Sequence, residues 1–345
     1  MKKRFLIGLI ISLVFLYFAF RGVNYHALWN ALKGVNFFYL FLFMLAVVVL
    51  MWVRAYRWKF MVDPIKKVGV YSLFSSAMIG FMANNVLPVR LGEVVRAYSL
   101  GTKEKISRSA SFATIVMERV FDGFALLLIL WLTLLYYPFS RSSEKVGELV
   151  RKGANITLIA NLLLFLVLIL LEFKPEPTLK FFQKLLRIVP GKLSQKAEVI
   201  LQKFSSGVKV FRDPKRLIWI LLWSLILWVA SGLSNYLIFL AFDKHPPLQA
   251  SLILMVIVTL GVMIPSSPGY VGTIQFFTVI ALSLFGKEYG KEFSLPFSIV
   301  LHACQYIPIT VLGFVYLKQE HFSLKVAESD STAIAEDEME NPSGV

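Results

Sequence analysis

Pro88-Val-Arg-Leu-Gly92-Glu93 returns 180 positions later as Pro268-Gly-Tyr-Val-Gly272-Thr273, and both strings interrupt otherwise apolar stretches, 70–89 and 249–286. Proline removes a helical hydrogen bond and glycine weakens the helix around it. Inside a bilayer such a break is tolerated only where the freed backbone groups face protein or water. Two breaks at corresponding places in two halves therefore point to a polar site between repeats.

Outward from these strings the chain is 57% hydrophobic with a mean hydropathy of +0.69, and its apolar residues fall in long blocks rather than at amphipathic spacing. Blocks at 5–20, 37–53, 120–137, 156–171, 217–242 and 295–317 each approach the roughly 20 residues that cross a hydrocarbon core. The expected fold is an all-α polytopic membrane protein of about six to eight spans. Met1-Lys-Lys-Arg ahead of the first block, with no small-residue cleavage point after it, predicts a retained signal anchor.

The formal charge of +15 raises the question of nucleic acid, and its placement answers against it. Lys and Arg number five in 54–69, five in 90–109 and eleven in 172–216, against one in 243–248 and two in 287–294. This is a positive-inside asymmetry. It predicts a multi-pass protein of the cell (inner) membrane with both termini cytoplasmic. The two broken stretches then enter from opposite faces, as in an inverted-topology repeat with two re-entrant segments. Two short ordinary spans, 249–264 and 270–286, give the same final topology and remain open.

Three regions are expected: a membrane domain over 1–318, with repeat 1 near 37–137 and repeat 2 near 217–317; within it a basic cytoplasmic stretch, 172–216; and a tail, 319–345. In the basic stretch Leu179, Phe182, Leu186 and Val189 recur at helical spacing opposite Lys180, Lys184 and Arg187, a pattern that suits the headgroup plane or a cap on the bundle. The tail is acidic and poor in aromatics, as disordered segments are.

Charge at membrane depth marks the candidate binding residues. Arg90, Glu93 and Arg96 follow Pro88 at three-residue steps and form one ridge if a helix starts there. Glu118, Arg119 and Asp122 open the block that runs to 137. Both sets can also be read as ion pairs that tie elements together. Arg54, Arg57 and Trp58 read as interfacial anchors at the end of the second block. Asn84 and Asn85 add polar groups beside the first break. At the second, Ser267 before Pro268 has the form of a helix cap, so that amides near Gly269 and Gly272 would meet an anion; an ordinary loop is the alternative.

The four histidines, His26, His245, His302 and His321, form no His-x-x-x-His pair, and Cys304 is the one cysteine, so neither a metal centre nor a cofactor is expected. No nucleotide loop or hydrolase motif occurs, and an enzyme with its own catalytic domain is not expected.

Arg54-x-x-Arg57-Trp58, Asn84-Asn85-Val-Leu-Pro88-x-Arg90-x-Gly92-Glu93-x-x-Arg96, Glu118-Arg119-x-x-Asp122 and Pro265-x-x-Pro268-Gly269-x-x-Gly272 occur in this order. The ordered set, spread over residues 5 to 317, resembles the lysylphosphatidylglycerol synthase transmembrane-region family, also called flippase-like domain proteins. That resemblance implies movement of a lipid with a charged or sugar-bearing headgroup between leaflets. It brings no aminoacyl transfer, because the synthase domain of the two-part proteins has no counterpart here. Tyr270 and Gln275 stand where the family often has glycine and glutamate, which bears on the headgroup taken by the second repeat.

The expectation is a lipid translocase whose partners are anionic or headgroup-modified lipids and a separate synthase, with no nucleic acid. A membrane-embedded transferase using Glu93 or Glu118 as base, and a scaffold presenting lipid to a synthase through 172–216, are the competing classes.

Overall fold

The computed structural model describes residues 10, 13–21, 25–87, 91–136, 144–178, 181, 209–264 and 267–320. Ordered secondary structure in these residues is helical. Residues 5–9, 11 and 12 of the block at 5–20, the basic stretch from 182 to 208 and the tail beyond 320 lie outside them.

After a short helix α1, Tyr25–Lys33, comes α2, Phe37–Val62, capped by the Asn36 side chain, which accepts from the Phe38 N–H at 3.0 Å. At 26 residues it measures about 39 Å, enough to cross a roughly 30 Å hydrocarbon core. Its faces are the reverse of a soluble helix. Phe37, Phe41, Leu45, Val49, Trp52 and Tyr56 recur every three or four residues on the outside, whereas Arg54 and Arg57 lie on the buried face with Phe43, Met51 and Trp58. Apolar groups facing out and charges facing in are what a lipid solvent selects.

Then follow α3, Val70–Val86; α4, Gly92–Glu104; α5, Arg108–Tyr136; and α6, Glu144–Phe173. The second half opens with α7, Pro214–Ser234, where Asp213 accepts from the N–H groups of Lys215 and Arg216 and Pro214 takes the first turn. It continues through α8, Tyr236–Ala241; α9, Leu248–Gly261; a 3-10 turn, Pro268–Tyr270; α10, Thr273–Ser283; and α11, Lys291–Gln319. Among the described residues four segments are long and apolar enough to cross a membrane: Phe37–Val62, Lys152–Phe173, Pro214–Ala241 and Lys291–Gln319. The expected block at 120–137 is the apolar end of α5, whose first half is polar and buried.

The order long, short, short, long occurs twice, as α2 to α5 and as α7 to α11 with α8 continuing α7. The short helices, of 17, 13, 14 and 11 residues, each fall below the length of a span. Within each half the short pair packs together, α3 on α4 and α9 on α10. The first pair is drawn tight by glycine: a Cβ on Gly92 would stand 2.0 Å from the Gly80 carbonyl oxygen, and one on Gly80 2.6 Å from the Arg96 Cβ. Small residues let backbones close in this way where water provides no drive to associate. Across the halves α2 packs on α7, α3 on α11 and α9 on α5.

Candidate functional site

The close contact of α3 and α4 sets Arg96 facing α5, where its guanidinium grips both oxygens of Glu118 at 3.1 and 2.8 Å and lies 3.7 Å from the centre of the Trp58 ring. Trp58 is held in turn by its own N–H, donated to Thr114 at 2.8 Å. From α2, Arg54 donates to Glu118 at 3.0 Å and reaches Asp122 at 3.5 Å; Arg57 donates to Asp122 and to the Ser224 hydroxyl, the latter at 2.8 Å. Arg119 donates to Glu118 at 3.0 Å and lies 3.8 Å from Glu93, whose side chain is about as exposed as its own. Trp228 of α7 closes the group with an N–H donated to Asp122 at 2.7 Å.

Four guanidinium charges thus surround two buried carboxylates, and Glu93 at the rim leaves the group still net positive. Nε of Arg57, Arg96 and Arg119 finds no acceptor among the described residues. A buried cluster with surplus cation and unused N–H groups is unbalanced in a way that an anion corrects.

Beside it lies a cavity of about 230 Å³ between the halves, walled by α2 and α3 on one side and α7, α9, α10 and α11 on the other. Arg54 and Trp228 belong to both cluster and cavity. Arg54 stands over the rings of Phe81 and Trp228, 5.2 and 5.3 Å from their centres. Asn85, Asn235, Thr259, Gln305 and Tyr306 add neutral polar groups to the wall.

The two breaks meet at this cavity. Asn85 donates to Thr310 at 2.8 Å, while its carbonyl accepts from the Tyr306 hydroxyl at 3.4 Å and lies 3.3 Å from where a Gly269 Cβ would be. Gly269 has φ +68, and Tyr270 after it φ +61, a left-handed backbone that costs a residue with a Cβ roughly 1 kcal/mol. That strain is spent at the cavity wall, where Tyr270 stands.

Several expectations change. Ser267 caps no helix: its hydroxyl donates to the Pro268 and Val271 carbonyls, and Pro268 opens a single 3-10 turn. The helix begins at Thr273, because Gly272 at φ +87 ends the turn, and the Gly272 N–H is taken by Gln275 at 2.8 Å. The Gly272 amide is therefore not open to an anion. Gln275 also meets His302 at 3.2 Å, so its side chain ties α10 to α11. The first ridge also differs, since α4 starts at Gly92 and not at Pro88. Arg96 is buried on Glu118 while Glu93 faces Arg119; Arg90 lies outside the described residues. Asn84 serves the turn, accepting the Gly92 N–H at 2.8 Å, and only Asn85 reaches the cavity.

Arg54, Arg57 and Trp58 are not interfacial anchors. Helix α2 runs nine residues past the apolar block and carries them inward, where Arg57 and Trp58 are fully buried. Their three-residue step on the face of Val47 and Met51 was the available signal. Ser224, Trp228 and Asn235 carried no such mark, being ordinary residues of an apolar segment. Among the described residues no three His, Cys, Asp or Glu side chains converge as a metal site would require.

Residues 5–313 match the family described as lysylphosphatidylglycerol synthase TM region. Relatives include a UPF0104 membrane protein of Pyrococcus horikoshii, 26% identical over 340 residues that cover 92% of this chain and 97% of that one. Another, from Methanocaldococcus jannaschii, is 25% identical over 235 residues, 67% of this chain and 91% of its own. A third, from Methanothermobacter thermautotrophicus, is 25% identical over 270 residues, covering 74% and 78%. No solved structure matches. With nearly its whole helical part matched, the chain is a membrane protein and belongs to the lysylphosphatidylglycerol synthase transmembrane-region family.

Proposed function

We propose that this protein is a lipid translocase that passes a phosphate-bearing headgroup between leaflets through the cavity between its halves. The observation that carries this function is the surplus of buried guanidinium charge, with Arg54 shared between the cluster and the cavity. A lipid phosphate supplies the missing anion, and guanidinium binds phosphate by paired, charge-assisted hydrogen bonds. The twice-repeated helix order and the reciprocal contacts α3 on α11 and α9 on α5 support an inverted repeat with α3–α4 and α9–α10 as re-entrant pairs. Both termini are cytoplasmic in this arrangement, in the cell membrane, and a separate synthase supplies the lipid.

No covalent step is part of this function. Glu118 and Asp122 are each engaged by several arginines, which makes both poor bases. The lipid distribution itself or an ion gradient drives the movement. The test is leaflet exchange of acyl-labelled phosphatidylglycerol in vesicles, read by bleaching the outer leaflet. Wild-type protein should speed exchange, and Arg54→Gln should slow it about tenfold or more, the value of one charge-assisted hydrogen bond. Exchange at the protein-free rate would overturn this function.

A further inference from the structure

The cavity wall also says which headgroup fits. Among the described residues that line it, Arg54 is the only Arg, Lys, Asp or Glu, so a cationic headgroup meets no carboxylate there. The carboxylates behind Arg54 are already outnumbered by arginines. Of the aromatic rings on the wall, Phe81 and Trp228 already carry a cation, since the Arg54 guanidinium stands over both.

Neutral amides and hydroxyls make up most of the remaining polar wall, among them Asn85, Ser231, Asn235, Thr259 and Gln305, with the His302 imidazole beside them. Asn235 is 3% exposed, and its Oδ1 has no hydrogen-bond partner among the described residues. A buried acceptor left unpaired is costly, and because Asn235 lines the cavity, a rotation of its side chain would offer that oxygen to a ligand hydroxyl. Hydroxyls both donate and accept, which matches a wall of mixed donors and acceptors, whereas an ammonium donates only. At about 230 Å³ the cavity is smaller than the roughly 300–1,000 Å³ that encloses a drug-sized molecule, so it admits a headgroup and leaves the acyl chains outside.

We infer that the cavity selects an uncharged, hydroxyl-bearing headgroup on a phosphate lipid and rejects cationic aminoacyl headgroups. This rests on the translocase function proposed above and names the lipid class it takes. The experiment titrates the purified full chain in detergent with four lipids of matched acyl chains and reads the apparent Kd by thermal shift. The lipids are phosphatidylinositol, phosphatidylmethanol, lysylphosphatidylglycerol and, as a phosphate-free control, diacylglycerol.

Phosphatidylinositol should bind about tenfold more tightly than phosphatidylmethanol, which carries the same phosphate diester without hydroxyls, and lysylphosphatidylglycerol should bind more weakly than either. Asn235→Leu, and independently Gln305→Leu, should bring the ratio of the first two toward one. Lysylphosphatidylglycerol binding as tightly as phosphatidylinositol, or an unchanged ratio in both variants, would overturn the selectivity while leaving phosphate binding intact. Phosphate lipids binding no better than diacylglycerol, with no effect of Arg54→Gln, would overturn the translocase site itself.

Discussion

Trp228 and Arg57 donate to the same oxygen of Asp122, one from each half of the chain. The indole N–H makes its bond at 2.7 Å, so the carboxylate at the centre of the cluster is oriented by a residue that lies 106 positions away in sequence. Motion of one half against the other must break, stretch or carry along this bond.

Trp228→Phe keeps the ring beside Arg54 and removes the donor. The expected result is a loss of about 1–3 kcal/mol of stability, the cost of an unsatisfied buried partner, together with altered exchange rates. Thermal unfolding in detergent and vesicle exchange measured on the same preparation check it. Unchanged values in both would mean that the bond is incidental.

Because the cluster holds more cation than anion, neutralising its members has unequal costs. Glu118→Gln removes the carboxylate shared by four arginines and should cost about 3–5 kcal/mol. Arg54→Gln removes surplus charge at the cavity and should cost far less while halting transport. Equal destabilisation by the two would refute the imbalance.

Gly269→Ala tests the meeting of the two breaks. Its Cβ would fall 2.8 Å from the Tyr306 ring and at a φ of +68, so a loss of roughly 1–2 kcal/mol is expected from the backbone alone. Adding Tyr306→Ala makes room for the methyl but leaves the backbone strain, so the pair should recover only the steric part. A double-mutant cycle on melting temperatures measures that coupling. Additive losses would place the ring contact outside the energetics.

Single cysteines at Gly69, Thr102, Asp243 and Lys287, all exposed, report the topology in a Cys304→Ala background. An impermeant thiol reagent should label the first two from the cytoplasmic side and the last two from the opposite side. Labelling of Thr102 and Lys287 from one face would exclude re-entrant pairs that enter from opposite faces.

The membrane class, the two breaks and the polar start of α5 were legible because each departs locally from an apolar run: Pro88 and Pro268, or Glu118 and Asp122. Arg54 and Arg57 were visible but misplaced. Hydropathy ends a block at the first arginine, although the backbone hydrogen bonds of α2 continue to Val62. The cap at Ser267 failed for a related reason, since Ser-Pro is a start signal only if the next residues are helical, and Gly269 and Gly272 at positive φ prevent that. Asn235 was illegible. Its significance is an unpaired oxygen on a cavity wall, a property of tertiary packing with no local pattern in the chain.

The inward-facing arginines of α2 also impose an order on biosynthesis. Arg54 and Arg57 leave the ribosome 64 and 65 residues before Glu118 and Asp122, the carboxylates they contact. An unpaired arginine on a membrane helix costs up to about 2.5–3.5 kcal/mol on insertion, so the C-terminal turns of α2 are expected to stay near the headgroups until α5 has been made. Trp228 emerges later still and fastens Asp122 only once α7 arrives. Nascent chains that end between α2 and α5 should therefore hold α2 shallow in the bilayer, and the helix should sink to its final depth only as its counter-charges are synthesised.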